Sequence, residues 1–309
     1  MFGVMGTSAA FAQAGSAKAQ KIEGEIILRG EDDDIIISSI SCVGKIEIVS
    51  TKDSTTVIEK YSNLSDVKVS VQSDANTDVY IVGNVTEIAI EGEDYNALSS
   101  IDTTNASELT YLSTSDCIGL TELDLSANAK LTELDCRGCT GLTELDLSAN
   151  TELTDLSCSG CTGLTELDLS ANIKLVYLAC ENCTGLTDLY VNGIDTLSGL
   201  YCTDSTSLTS LDLSGCRSIE NAICNGCISL TSLDLYGCVS LQTLSVDDIE
   251  TFTLLKYPAG NEDVSTAIAD AITNATAADG TVYTDSQGAY YSTIATAATA
   301  KGWTIAPLA

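Results

Sequence analysis

Four Cys-x-x-Cys pairs carry the most reactive side chains of this chain: Cys136/Cys139, Cys158/Cys161, Cys180/Cys183 and Cys224/Cys227. Two such pairs separated by 18 residues, as Cys139 and Cys158 are, ordinarily supply the four thiolates of a zinc site. A single pair can serve as a redox couple. The other ingredients of catalysis are missing. The chain has no histidine, which removes the commonest general base and the commonest metal ligand. No nucleophile motif stands beside a base, so no catalytic residue and no cofactor is assigned, and an enzyme is not expected.

The elements that would position these thiols follow a fixed beat. Leu98, Leu109, Leu120, Leu131, Leu142, Leu153, Leu164, Leu175, Leu186, Leu197, Leu208, Ile219, Leu230 and Leu241 recur every eleven residues. Each unit reads L-x-x-L-x-L-x-x-N/C-x-x, as in Leu120–Asn128 and Leu131–Cys139. Positions four and six alternate with polar positions three and five, the two-residue period of a short strand with one face inward. Units alternate in type: one has Leu at six and Asn at nine, the next has Cys at both. The true repeat is therefore 22 residues with two short strands.

This frame changes what the cysteines mean. Cys136, Cys158, Cys180, Cys202 and Cys224 fall at position six, and Cys117, Cys139, Cys161, Cys183, Cys216, Cys227 and Cys238 at position nine. Only Cys42 of the thirteen lies outside the frame. Both positions point inward, so a column of small buried thiols is expected and no metal site is assigned. Stacked disulfides, or zinc and redox chemistry, are the alternatives. Asn128, Asn150 and Asn172 form a matching column whose buried amides need partners on neighbouring turns.

The L-x-x-L-x-L-x-x-N/C pattern resembles the leucine-rich repeat, and its doubled LTELDLSAN/LTELDCxGC form is similar to secreted leucine-rich repeat proteins of Bacteroidetes and, distantly, to internalins. The resemblance spans Leu98–Glu250. It implies a β-rich solenoid: a leucine-rich repeat coil with two short strands per 22-residue turn and a small α/β C-terminal cap. The back half of each unit repeats the strand pattern where the family usually has a loop or short helix. A flattened, two-sided coil is therefore expected rather than a strongly curved horseshoe.

The flanks are assigned as follows. Residues 1–20 read as a signal-like or disordered segment, with Ala10-Phe11-Ala12 as an A-x-A-like cleavage site and the true start placed upstream. Residues 21–97 hold Val/Ile-rich runs opening at Ile22, Val43, Leu64 and Val85, 21 apart. They are expected to be four further β-solenoid turns acting as an N-terminal cap, with a separate β-domain as the alternative. Residues 98–250 are the repeats. Residues 251–309 are an α/β cap, with helices over 262–273 and 289–301, strands over 280–284 and 303–305, and Trp303 covering the last core layer. Similar KGWTI endings follow repeats in the resembling family. Eleven turns at ~4.8 Å would make a coil ~50 Å long.

The outward positions separate two faces. On the Leu-type face, Glu122/Asp124/Ser126, Glu144/Asp146/Ser148 and Glu166/Asp168/Ser170 repeat without variation. Like charges ~4.8 Å apart cost roughly 0.9 kcal/mol each in bulk water. A solvated, aggregation-resistant face is expected, with weak cation binding as the secondary reading. On the Cys-type face the residues vary: Tyr111, Glu133, Asp135, Arg137, Asp155, Tyr177, Glu181, Tyr201, Thr203 and Asn225. Tyrosine and arginine suit interfaces, so these ten form the candidate partner-binding set.

A net charge of −31 disfavours nucleic acid and anionic membranes. The combined expectation is an exported, extracellular or cell-surface recognition or adhesion protein that binds a protein or glycan through its variable face and does not insert into a membrane. The alternative is a structural or surface-assembly solenoid with no small ligand.

Overall fold

The computed structural model describes residues 25–29, 34–52, 55–62, 69–72, 78–90, 98–257, 262–284 and 291–307. The signal-like segment 1–20 lies outside them. In the repeat region each Cys-type unit contributes a three-residue strand, β7 (Tyr111–Ser113), β8 (Glu133–Asp135), β9 (Asp155–Ser157), β11 (Tyr177–Ala179), β13 (Gly199–Tyr201), β15 (Asn221–Ile223) and β17 (Thr243–Ser245). They stack in parallel at a register of 22 residues, Tyr111 on Glu133 on Asp155 on Tyr177 on Gly199 on Asn221 on Thr243. We call this sheet A. Sheet B comprises β10 (Glu166–Asp168), β12 (Asp188–Tyr190), β14 (Ser210–Asp212), β16 (Ser232–Asp234) and β18 (Leu254–Tyr257), also parallel.

Leucines at positions one, four and six fill the space between the sheets, and nearly all are fully buried. Strands this short supply few ladder bonds, so the chain also needs bonds at its corners. The position-nine side chain provides them. Its donor reaches the position-six carbonyl 25 residues upstream: Cys139 Sγ to Thr114 O at 3.0 Å, Cys161 to Cys136 O at 3.0 Å, Cys183 to Cys158 O at 3.1 Å and Cys227 to Cys202 O at 3.1 Å. Ser205 takes the place of cysteine in that column and donates to Cys180 O at 2.8 Å. On the other side, Asn150 Nδ2 donates to Leu125 O at 3.1 Å and Asn128 O at 2.9 Å, and Asn172 repeats this one turn later.

The Cys-x-x-Cys spacing is thus the spacing of two inward positions. All twelve repeat cysteines are buried and free. Burial pushes the Cys117, Cys139 and Cys238 thiols up to about 12 and Cys216 up to about 11. It holds Cys180 well above the ordinary thiol range. Protonated thiols of this kind are poor nucleophiles and poor metal ligands.

The N-terminal expectation needs correction. Four solenoid turns would pair in parallel. Instead β1 (Glu25–Arg29), β2 (Asp34–Lys52), β3 (Thr55–Ser62), β4 (Val69–Gln72) and β5 (Asp78–Ile90) pair antiparallel with one another. Apolar alternation is the same for either strand direction, so the 21-residue beat carried no information on it. The last residues of β5 turn into the coil: Glu87, Ile88 and Ala89 pair in parallel with Tyr111, Leu112 and Ser113. On its other edge β1 pairs with β6 (Ser100–Asp102), the first rung of the Leu-type side. The parallel stack on sheet A runs from the end of β5 to β17, seven steps of ~4.8 Å or ~34 Å, shorter than the expected length.

At the far end sheet B continues through β19 (Thr281–Thr284) and β20 (Thr304–Pro307), with helices α1 (Glu262–Asn274) and α2 (Tyr291–Lys301) as the crossovers. Val264, Ile268 and Ile272 of α1 are buried, on the face their spacing predicts. Helix α1 packs on α2 and lies against β17, so it closes the end of sheet A. Trp303 is buried as part of the continuous apolar core. It packs beside Gly280, where a Cβ would lie 2.3 Å from the indole, and its Nε1 donates to Ala277 O at 2.9 Å.

Two outcomes are expected. Asn150→Ala removes two inter-turn bonds and should lower stability by about 2 kcal/mol in chemical denaturation; a change near zero would refute the corner-bond account. None of the twelve repeat thiols should react with a thiol reagent in the native protein, and all should react in denaturant. Because folding raises the pKa values of Cys117, Cys139, Cys216 and Cys238, their contribution is complete below the ordinary thiol value of ~8.5 and is lost as pH rises towards the folded values. Stability should therefore fall above about pH 9, by about 1.4 kcal/mol per pH unit for each thiol that ionises only when unfolded.

Candidate functional site

The uniform face turns out to have structural duties. The position-five carboxylates cap their own corners: Asp124, Asp146 and Asp168 Oδ1 accept from the amides of Ser126, Ser148 and Ser170, each at 2.9 Å. The bonds from Ser126 and Ser148 hold the Asp124 and Asp146 carboxyls below their ordinary pKa. Among the described residues no ladder pairs the rungs Glu122–Asp124, Glu144–Asp146 and Glu166–Asp168 with one another, although β10 pairs with β12 and the stack continues from there.

The position-eight residue changes at the same place. Gly193, Gly215 and Gly237 take positive φ, and the Gly193 and Gly215 amides donate to Ser214 O and Tyr236 O on the next turn. Ala127, Ala149 and Ala171 do not adopt that conformation, which a Cβ makes costly. Two carboxylates per rung add repulsion where the ladder is missing. An open cleft of about 330 Å³ lies between the second and third of these rungs, walled by Glu144, Asp146, Glu166 and Asp168. No group of three or more acidic, thiol or imidazole side chains among the described residues is placed to hold a metal ion.

The variable face is the outer surface of sheet A. Register aligns its position-three column as Tyr111, Glu133, Asp155, Tyr177, Gly199, Asn221, Thr243, and its position-five column as Ser113, Asp135, Ser157, Ala179, Tyr201, Ile223, Ser245. Tyr177 and Tyr201 meet diagonally across adjacent rungs, with ring centroids 5.2 Å apart and planes at 37°. That contact depends on Gly199. A Cβ there would lie 2.9 Å from Cε2 of Tyr201, so the phenol ring rests over bare backbone. Val176 extends the apolar surface, and it stands where Thr110, Thr132 and Thr154 build a hydroxyl-to-carbonyl column with bonds of 2.9 to 3.1 Å.

The ten candidate residues divide accordingly. Tyr177 and Tyr201 come together, with Glu181 and Asp155 close enough to bias Tyr177: burial first, then Glu181, raises its phenol pKa. Arg137 is held by Asp135 through bonds of 2.8 and 2.7 Å. Glu181 is bonded to Ser159 Oγ. Asn225 Oδ1 accepts from the Asp247 amide at 2.9 Å and so joins two corners. Thr203 lends its carbonyl to the Asn182 amide at 2.8 Å. Glu133 is exposed, and Tyr111 is half-buried three rungs from Tyr177, ~14 Å along the stack, outside the aromatic pair. Sequence reasoning missed Val176, Ala179, Gly199 and Ile223. The available signal was the break in three regular columns at one height.

Residues 204–224 match the family described as Leucine Rich repeat. The fold is a β-rich leucine-rich repeat solenoid. Among solved structures, the functional domain of InlJ from Listeria monocytogenes, described as including a cysteine ladder, is similar at 23% identity. The match covers 65% of this chain and 59% of that one, with a TM-score of 0.23, so the solenoid spans less than two-thirds of that chain. No curated protein matches. No described helix is long and apolar enough to cross a membrane.

Gly199→Ala should displace the Tyr201 ring while leaving the leucine core in place. The expected result is a changed tyrosine ring environment in NMR spectra, with less than about 1.5 kcal/mol lost in stability. Unchanged Tyr177 and Tyr201 resonances would refute the role given to Gly199.

Proposed function

We propose that this protein is an exported, non-enzymatic recognition or adhesion protein of the cell surface, and that it binds a protein partner through the outer face of sheet A. The supporting observation is the aromatic shelf of Tyr177 and Tyr201 over Gly199. Aromatic side chains that combine apolar area with a hydroxyl are typical binding anchors, and here two of them are pre-positioned by a rigid sheet. Ile173, Tyr190, Ile228, Tyr236 and Val239 are exposed elsewhere on the repeats, but among the described residues none of them joins a ring pair like that over Gly199. Regular stacks favour extended contact surfaces over enclosed catalytic pockets. The signal-like opening residues support export.

The test is a binding screen of the purified chain against extracellular proteins and glycans. The double variant Tyr177→Ala/Tyr201→Ala should weaken the selected protein partner at least tenfold, about 1.4 kcal/mol or more. Glu144→Gln on the opposite face should leave it unchanged. Binding that ignores the double variant overturns the face assignment. Glycan capture without protein capture overturns the partner class. Concentration-dependent assembly with no partner at all favours a structural solenoid instead.

A further inference from the structure

Resting on that assignment of the binding face, we propose that the shelf of Tyr177 and Tyr201 receives an arginine-bearing cationic segment of a partner protein. The charge of the face points this way. Across positions three, five and seven of sheet A the carboxylates are Glu133, Asp135, Asp155, Glu181 and Asp247, and the cation is Arg137. Arg137 is spent on Asp135, whose carboxylate it grips with both Nε and a terminal nitrogen. Around the tyrosines the uncompensated charge is therefore negative, with Asp155 on the rung before Tyr177 and Glu181 on its own strand's exit. After burial, Glu181 and then Asp155 raise the Tyr177 phenol pKa, with Arg137 opposing them.

A planar guanidinium fits each element of this surface. It stacks on a phenol face, its N–H fork pairs with a carboxylate, and it is weakly enough hydrated to leave water for an apolar shelf. The shelf also offers alkyl contact through Val176 (42% exposed) and the half-exposed Ile223, which suits the aliphatic stem of arginine. Neutral sugars could stack on the same rings, yet they would gain nothing from the carboxylates around them. Anionic glycans and acidic peptides would be repelled by them.

The test is calorimetric titration of the full chain at physiological salt with three probes: hexa-arginine, hexa-glutamate and maltohexaose. Hexa-arginine should bind, and Tyr177→Ala and Gly199→Ala should each weaken it roughly tenfold. Tyr177 is exposed and outside the core, so that variant decides the matter if Gly199→Ala does not fold. The control Glu144→Gln/Asp146→Asn removes two carboxylates from the opposite face, whereas the shelf variants remove no charge, and it should still change the affinity less than about twofold. Equal losses in control and shelf variants mean diffuse attraction to an acidic protein and overturn the proposal. So does Tyr177-dependent binding of maltohexaose or hexa-glutamate. A natural partner that needs Tyr177 and Tyr201 but presents no arginine there overturns the cationic reading while leaving the face assignment intact; a partner indifferent to both tyrosines removes both.

Discussion

The coil depends on what happens to the main-chain carbonyl at position six. Each strand is three residues long, and the chain then bends inward across an apolar core. A carbonyl left there without sufficient partners is expensive. The solution is a small donor at position nine, one turn later, aimed back at that carbonyl. The donor must fit between leucines without adding volume. Cysteine, serine and asparagine meet that requirement in different ways: the thiol is nearly apolar, the hydroxyl donates at shorter range, and the amide reaches two carbonyls at once. The thiols were therefore selected by shape and weak polarity. Their redox and metal chemistry is suppressed by the same burial that makes them useful.

The two sides of the coil solve their corners differently, and this separates their surface roles. On the Cys-type side, glycine or another residue at positive φ lets the main chain carry the bonds from turn to turn. Side chains on sheet A are then free to vary. In the early Leu-type turns, alanine stands at that corner, the ladder is absent, and the Asn column takes over the linkage. The outward Asp caps the corner from outside there, as Asp212 and Asp234 do in the later turns with glycine at the corner.

Much of this was legible in the sequence because the repeat frame fixes which side chains point inward. The burial of the cysteines, the Asn column, the two-strand turn and the apolar face of α1 all follow from counting by eleven. Strand direction over 25–90 did not follow, because Val/Ile alternation is blind to it. The seat of Trp303 against Gly280 did not follow either, since it is created by a missing side chain 23 residues earlier. The aromatic pair was half legible. Tyr177 and Tyr201 stood out by type, but they occupy different outward positions. Only the parallel register, and the absent Cβ at Gly199, bring their rings together.

That diagonal contact straddles the boundary between two 22-residue units. Neither unit contains it alone. Copying the unit with Tyr177 would add a second tyrosine one step along its own column, with no Gly199 beneath an opposing ring. Inserting any unit between the two would part them by ~4.8 Å. The module that lengthens the coil is thus not the module that recognises, and the chain can grow by duplication at every other height without either multiplying or damaging this seam.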